Sequence, residues 1–370
     1  MKKLILVVGA RPNFMKIAPV MHELKDDKEI QPVLVHTGQH YDTQMSGRFF
    51  EELGIPAPDI NLEVGSASHA VQTAKIMIGF EQVCLDEKPD FVMVVGDVNS
   101  TLACTLVAAK LNIKTIHYEA GLRSNDRTMP EEINRLVTDA VSDYFFTTSV
   151  DADENLIREG VDPQKIFMVG NLMIDTLEAN LRNARNSLQS FPLLNKTDKI
   201  DINDLSENGY GVMTFHRPSN VDEKESLELL VDIWCRISKS IPLIFPIHPR
   251  TLGNIRKFGL MDKLNTSNVF LIEPLGYLEF IHLVSNARFA LTDSGGIQEE
   301  TTHLNIPCLT VRPNTERPVT IWEGSNKLIK TEEIVQEVSE ILRGNGKTGQ
   351  NPKFWDGHTA VRIIEIIKKL

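Results

Sequence analysis

One octapeptide concentrates groups that could hold an anion: Asp293-Ser294-Gly295-Gly296-Ile297-Gln298-Glu299-Glu300, directly after the apolar run Phe289 to Leu291 and at the start of a helical pattern. A strand that ends in a Ser-Gly-Gly turn and opens a helix turns backbone N–H groups and the positive end of the helix dipole outward, where an anion binds. Glu300 follows within the second turn, in reach of the hydroxyls of a ribose attached to that anion. The chemistry predicted is a socket for a nucleotide diphosphate, formed by Ser294, Gly295 and Gly296. A plain strand-to-helix turn would use the same glycines, so the remaining strand ends decide between the two.

Those ends supply a coherent set. After Leu4 to Val8 comes Gly9-Ala10-Arg11-Pro12-Asn13-Phe14-Met15-Lys16, in which Arg11 and Lys16 place two cations at a helix start. A solvated basic pair is the blander alternative. After Phe91 to Val95 comes Gly96-Asp97-Val98-Asn99-Ser100, with Asp97 expected to face a cleft and Asn99 or Ser100 to cap the next helix. Capping by Asp97 itself is the competing role. The run Thr115 to His117 delivers Glu119, and Gly121 lets the backbone turn away. In Met129-Pro130-Glu131-Glu132-Ile133-Asn134-Arg135, Pro130 suits the first helical position and the acids suit the dipole. Glu131 is also free to look back into the cleft.

The later half adds His216-Arg217-Pro218, His248-Pro249-Arg250 and Arg312 to Pro318. Histidines and arginines gather there, whereas the carboxylates Asp97, Glu119 and Glu131 gather in the earlier half. Clustered carboxylates raise one another's pKa and then serve as base and acid near neutral pH. Neither Gly-x-x-x-x-Gly-Lys-Ser/Thr nor Gly-x-Gly-x-x-Gly occurs, which turns the reading away from nucleoside triphosphates and NAD. The expected reactions are glycosyl transfer from a nucleotide sugar, or proton and leaving-group chemistry on that sugar.

Such residues need a scaffold, and the apolar pattern describes one. Short, nearly continuous apolar runs (Leu4 to Val8, Val33 to His36, Phe91 to Val95, Thr115 to His117, Tyr144 to Phe146, Ile166 to Val169) alternate with helical stretches at Ala70 to Leu85, Leu102 to Leu111, Glu131 to Val141 and Ala152 to Glu159. That alternation predicts parallel strands covered on both faces in an α/β, doubly wound sheet. A polar stretch from about Asn183 to Asn208 lacks periodicity and reads as a linker or surface excursion. A second series then begins at Gly211 to Thr214 and continues through Leu243 to Ile247, Val269 to Ile272, Phe289 to Leu291 and Cys308 to Val311, and a last helix covers Thr359 to Lys369.

The architecture expected is therefore two Rossmann-like domains with a central cleft. Residues 1–172 with 355–370 form the domain that carries the catalytic carboxylates, and residues 173–354 form the one that holds the nucleotide. Ligands bind beyond the carboxyl ends of such strands.

With 370 residues the chain exceeds one ordinary core. It is 42% hydrophobic and 24% charged, and its net charge of −11 argues against nucleic acid as a partner. Cys84, Cys104, Cys235 and Cys308 are scattered, so reduced thiols are expected rather than a zinc site or a disulfide framework. No metal is implied. The opening Met-Lys-Lys-Leu-Ile-Leu-Val-Val-Gly is too short for a signal peptide, and no apolar stretch is long enough to span a bilayer. The expectation is a cytoplasmic protein without a membrane partner.

Taken in order, Gly9 to Pro12, His117 to Arg123, Pro130 to Arg135, Gly170-Asn171, His216-Arg217, Asp293 to Glu300 and Thr315 to Pro318 resemble the non-hydrolysing UDP-N-acetylglucosamine 2-epimerases across essentially the whole chain. The resemblance implies a glycosyltransferase-B-type fold, a UDP-sugar substrate, no cofactor and a homodimer. It implies interconversion of UDP-N-acetylglucosamine and UDP-N-acetylmannosamine: the C2 proton is abstracted as UDP leaves C1, a glycal forms, and UDP adds back. Arg11, Lys16, Asp97, Glu119, Glu131 and His216 match the catalytic set, with His216 taken as a charged donor to the departing phosphate. Arg217, Ser294, Gly295, Gly296, Glu300, Arg317, Leu275 and Tyr277 are carried over as substrate-binding. Gln39, His40 and His248 resemble part of an allosteric site for a second substrate molecule.

This chain has Asn13 where many members have glutamate, and its Ser124 to Met129 loop is shorter. Relatives act on other UDP-2-acetamido sugars, which leaves such a sugar as the alternative substrate. A hydrolysing enzyme, a glycosyltransferase of the same fold and a non-catalytic nucleotide-sugar sensor are the other readings.

Overall fold

The computed structural model describes residues 1–38, 54–184, 190–197, 199–205 and 209–370. Gln39 and His40 lie outside the described residues. The chain divides into two compact units, Met1–Ala179 with Lys353–Leu370, and Asn180–Pro352.

The first unit is built on seven parallel strands: β1 (Lys2–Val8), β2 (Ile30–His36), β3 (Ile60–Asn61), β4 (Phe91–Val95), β5 (Lys114–Tyr118), β6 (Tyr144–Thr147) and β7 (Ile166–Met168), in spatial order 3-2-1-4-5-6-7. Every residue of β4 is buried, as a strand covered by helices on both faces requires. Ile5, Val7, Val33, Val35, Val92 and Val94 form one core with Ile76, Phe80, Cys84 and Cys104 from the helices His69–Glu87 and Asn99–Lys110. The strand order reverses between β1 and β4, so the carboxyl ends of these two strands mark the switch point where a doubly wound sheet binds its ligand.

The second unit has six parallel strands: β10 (Gly211–Thr214), β11 (Leu243–Pro246), β12 (Val269–Ile272), β13 (Phe289–Thr292), β14 (Cys308–Val311) and β15 (Asn326–Ile329). They are ordered 12-11-10-13-14-15, which puts the switch point between β10 and β13. Its core packs Phe215 against Trp234 at 5.1 Å between ring centroids, with Phe245 against both.

The aperiodic stretch after Asn183 is more ordered than its composition suggests. It contains an antiparallel pair, β8 (Ser190–Pro192) and β9 (Lys199–Asp201), whose Phe191 and Ile200 enter a core with Tyr210 and Ile244. Strands of three residues are too short to show a period of two, which is why the sequence hid them.

Among the described residues no helix is long and apolar enough to cross a membrane. No group of three or more His, Cys, Asp or Glu among them is arranged to hold a metal ion. The four cysteines are free.

Candidate active site

The β1 and β4 ends of the first unit are tied together by Asn13. Its Oδ1 accepts the Gly9 and Ala10 N–H groups at 3.1 and 3.0 Å, and its Nδ2 donates to the Val95 carbonyl at 3.1 Å. The helix Arg11–Leu24 therefore starts at a fixed place beside β4. The Arg11 side chain lies outside what the structure describes. Lys16, one turn into this helix, is buried, and its Nζ lies 2.6 Å from the Glu119 carboxylate.

Glu119 follows β5 directly and holds a left-handed backbone, φ 68°. A non-glycine residue there costs about 1–3 kcal/mol and persists only where its surroundings enforce it. The enforcing contacts are the Lys16 ion pair on the side chain and the flanking ladder bonds, Gly96 N–H to the Tyr118 carbonyl at 3.0 Å and Ala120 N–H to the Phe146 carbonyl at 3.2 Å. Gly96 turns left-handed at φ 70°, and a Cβ there would stand 3.3 Å from Glu119 Oε2. A glycine lets the two strand ends approach.

Asp97 is half-buried, and its Oδ2 accepts from Arg135 Nη2 at 2.6 Å. Arg135 also binds Glu132, which accepts the Ser124 N–H and hydroxyl at 2.9 Å and the Asn125 N–H at 2.9 Å. Glu132 is thus buried scaffolding for the Ser124 loop, with its carboxyl held below the usual range: burial raises it, and the Ser124, Arg135 and Asn125 hydrogen bonds outweigh that. Its neighbour Glu131, also in the first turn of the helix Pro130–Val141, is exposed and has no partner among the described residues. Neither Asn99 nor Ser100 caps the following helix. Asn99 is already helical and accepts from Asn134 at 3.3 Å, while Ser100 bonds Thr37 at 2.7 Å.

In the second unit, the octapeptide directly follows β13 and makes the first turns of the helix Gly296–His303, which no side chain caps. Asp293 is fully buried and works as a bracket. It accepts the His216 N–H at 3.1 Å, the Arg217 N–H at 2.9 Å and the Asn220 amide at 3.0 Å, while its own carbonyl accepts Arg217 Nε at 2.9 Å. The β10 end carrying His216 and Arg217 is thereby locked to the start of the Ser-Gly-Gly turn. Ser294 N–H donates to Thr292 Oγ1 at 2.9 Å.

Gly295 is crowded: a Cβ would meet Glu316 Oε1 at 2.8 Å and Arg317 Nη1 at 3.0 Å, whereas Gly296 faces open space. Arg317 is paired with Glu316 at 2.7 Å and Glu299 at 2.9 Å, and Glu316 also holds Arg312 at 2.9 Å. Glu300 is buried beside Tyr277, whose hydroxyl is pushed well up by burial and by the Glu300 charge. Leu275 packs against the neighbouring core.

His216 sits with its ring 5.8 Å from that of His248 and its Nδ1 3.3 Å from Asp293. Burial lowers its pKa, Asp293 opposes that, and His248, Arg217 and Arg250 lower it further. The net direction is downward, which works against the charge expected on His216. His248 caps the helix Pro249–Lys257 by accepting the Arg250 N–H at 3.2 Å.

The charge division read from sequence is corrected here. Acids and bases are not segregated by half. Lys16 and Arg135 answer the carboxylates of the first unit, and Asp293, Glu299 and Glu316 answer the cations of the second. Buried charges need partners within a few ångströms. Sequence reasoning passed over Asp293, Arg135 and Glu132 as working residues, although the three-residue spacing of Glu132 and Arg135 on one helix face was a usable signal.

Comparison with known proteins shows the family and the fold. The model of the UDP-N-acetylglucosamine 2-epimerase family matches residues 22–368. The UDP-N-acetylglucosamine 2-epimerase of Methanocaldococcus jannaschii is 43% identical over 370 residues, covering 99% of this chain and 98% of that protein. The crystal structure of the M. jannaschii UDP-GlcNAc 2-epimerase in complex with UDP-GlcNAc and UDP is similar with a TM-score of 0.86 at 41% identity, covering all of both chains. A Pseudomonas aeruginosa UDP-2,3-diacetamido-2,3-dideoxy-D-glucuronate 2-epimerase is 37% identical over 372 residues, covering all of both chains. The fold is thus α/β of the glycosyltransferase-B type, with a Rossmann-like sheet in each unit. The chain belongs to the UDP-N-acetylglucosamine 2-epimerase family.

Proposed function

We propose that this chain interconverts UDP-N-acetylglucosamine and UDP-N-acetylmannosamine. The observation that carries the reading is the full-length likeness to the M. jannaschii epimerase. It is supported by acids at the β4 and β5 ends and an uncapped Ser-Gly-Gly helix start after β13. In the forward direction a base takes the C2 proton, the C1–O bond to UDP breaks and C1=C2 forms. A proton then returns to the other face of C2 and the UDP oxygen attacks C1.

In this reading Ser294, Gly295, Gly296, Arg217 and Arg317 hold the diphosphate, Glu300 meets the ribose, and Leu275 and Tyr277 lie beside it. Asp97, Glu119 and Glu131 are the proton-transfer groups, with Arg11 and Lys16 around the sugar and its phosphate. Incubation with UDP-N-acetylglucosamine in D2O, followed by proton NMR, tests it. Deuterium at C2 with UDP-N-acetylmannosamine appearing is the expected result, and free sugar with UDP would sink it. The P. aeruginosa likeness favours a second substrate, a UDP-2,3-diacetamido uronic acid, which the same assay compares directly.

His216 gives this reading a pH signature. A bound diphosphate sets opposite charge against a ring held low and raises its pKa. Binding then takes up a proton, so UDP affinity is highest below the free-state value and falls as pH rises towards the bound-state value. Calorimetric titration in buffers of different ionisation enthalpy should register that uptake, and His216→Asn should remove it. Equal uptake in the variant would place the proton elsewhere.

We further propose a homodimer. On the helix His69–Glu87, Val71, Ile78 and Leu85 are 47%, 73% and 51% exposed at seven-residue spacing, an apolar stripe along one side. Ile78→Asp should convert the protein to a monomer by light scattering; a persisting dimer would assign the interface to another surface.

A further inference from the structure

The buried pair His117 and Asp139 has no place in the reaction described so far, yet it touches the backbone of both strand ends that carry reactive acids. His117 is fully buried on β5 and Asp139 is 3% exposed on the helix Pro130–Val141. The imidazole meets Asp139 Oδ1 through Nδ1 at 2.6 Å and the Gly96 carbonyl through Nε2 at 2.8 Å. Gly96 immediately precedes Asp97. The second carboxylate oxygen of Asp139 accepts the Gly121 N–H at 3.0 Å, two residues beyond Glu119, and lies 2.7 Å from Arg123 Nη2.

The ring thus spans from the Asp139 carboxylate to the backbone carbonyl just before Asp97, with one nitrogen within hydrogen-bond distance of each. Burial pushes the Asp139 carboxyl up, but His117 and Arg123 outweigh it and hold it below its ordinary value. Arg123 is anchored in turn by Glu159 through bonds of 2.8 and 2.6 Å.

The helix that carries Asp139 also carries Arg135, four residues earlier, which binds the Asp97 carboxylate itself. Glu132, Arg135 and Asp139 recur at spacings of three and four, so one buried helix face bears the Asp97 side chain at one level and the His117 ring at the next. Asp97 is thus held through its carboxylate by Arg135 and through the preceding peptide by His117, and the turn after Glu119 is held by Asp139.

Resting on the function proposed above, we infer that His117 and Asp139 are positioning residues for C2 epimerisation, setting the separation between Asp97 and Glu119. Proton transfer depends on placement at the level of about 1 Å, and an error of that size costs roughly 10²-fold in rate. A residue that only stabilises the fold would not favour one kinetic constant. A positioning residue lowers kcat and leaves ground-state binding intact.

The test compares wild type with His117→Leu, which fills the space without a donor, His117→Gln, whose side-chain amide can still donate to the Gly96 carbonyl, and Asp139→Asn. Each protein is assayed for kcat and KM in C2 exchange, for UDP affinity by calorimetry and for melting temperature. His117→Leu is expected to lose about 10²-fold in kcat with KM and UDP affinity within about twofold of wild type. His117→Gln is expected to regain about tenfold of that loss, and Asp139→Asn to fall between. If His117→Leu does not fold, the Gln and Asn variants decide by the same split of kcat from KM.

A folded variant set that keeps wild-type kcat, or a Gln variant no better than Leu, overturns the positioning role. Wild-type protein inert towards every UDP-2-acetamido sugar overturns the function reading instead, and the positioning role with it.

Discussion

Asp97→Asn should abolish detectable deuterium exchange at C2 while UDP binding stays within about twofold of wild type, because a positioned acid or base contributes about 10²–10⁴-fold to a proton-transfer step. The substitution suits the site. Asparagine keeps the shape and an oxygen for Arg135, and Arg135 retains its second partner, Glu132, at 2.5 Å. The Ser124 loop depends on Glu132 and stays in place. What disappears is the ability to take or give a proton. The diphosphate groups assigned to the second unit are untouched. Single-turnover exchange in D2O and calorimetric UDP titration measure the two halves separately. Loss of UDP affinity alongside loss of exchange would make Asp97 a structural residue.

The second large effect concerns Lys16. Its side chain is 7% exposed and that of Glu119 4%, at 2.6 Å. Removing one member of a buried pair leaves the other charge uncompensated, at a cost of about 3–5 kcal/mol. Lys16→Met should therefore lower the melting transition strongly and inactivate the enzyme, since Glu119 also loses the contact that holds its left-handed backbone. Adding Glu119→Gln removes the stranded charge, so the double variant should recover most of the stability and none of the activity. Thermal melting and the C2 exchange assay distinguish these outcomes. A stable, active Lys16→Met protein would mean that solvent already reaches Glu119.

Much of this was legible in the residues. Leu4 to Val8 and Phe91 to Val95 announced strands because parallel strands covered on both faces are continuously apolar, a local property. Thr359 to Lys369 announced a helix by its apolar period, and the observed helix has the same limits. Ser294-Gly295-Gly296 declared a helix start after a strand, which it is. The pair β8 and β9 escaped for want of length.

What the sequence by itself determined, then, was the inventory: which segments are strands and helices, and which polar residues stand at their ends. Only the tertiary structure decided the pairings. Lys16 meets Glu119 across 103 positions and Arg135 meets Asp97 across 38, because β1, β4 and β5 lie side by side in the sheet. A charge removed from water accepts whichever counter-ion the strand order brings near. That order is a property of the packed sheet, and no window of the sequence contains it.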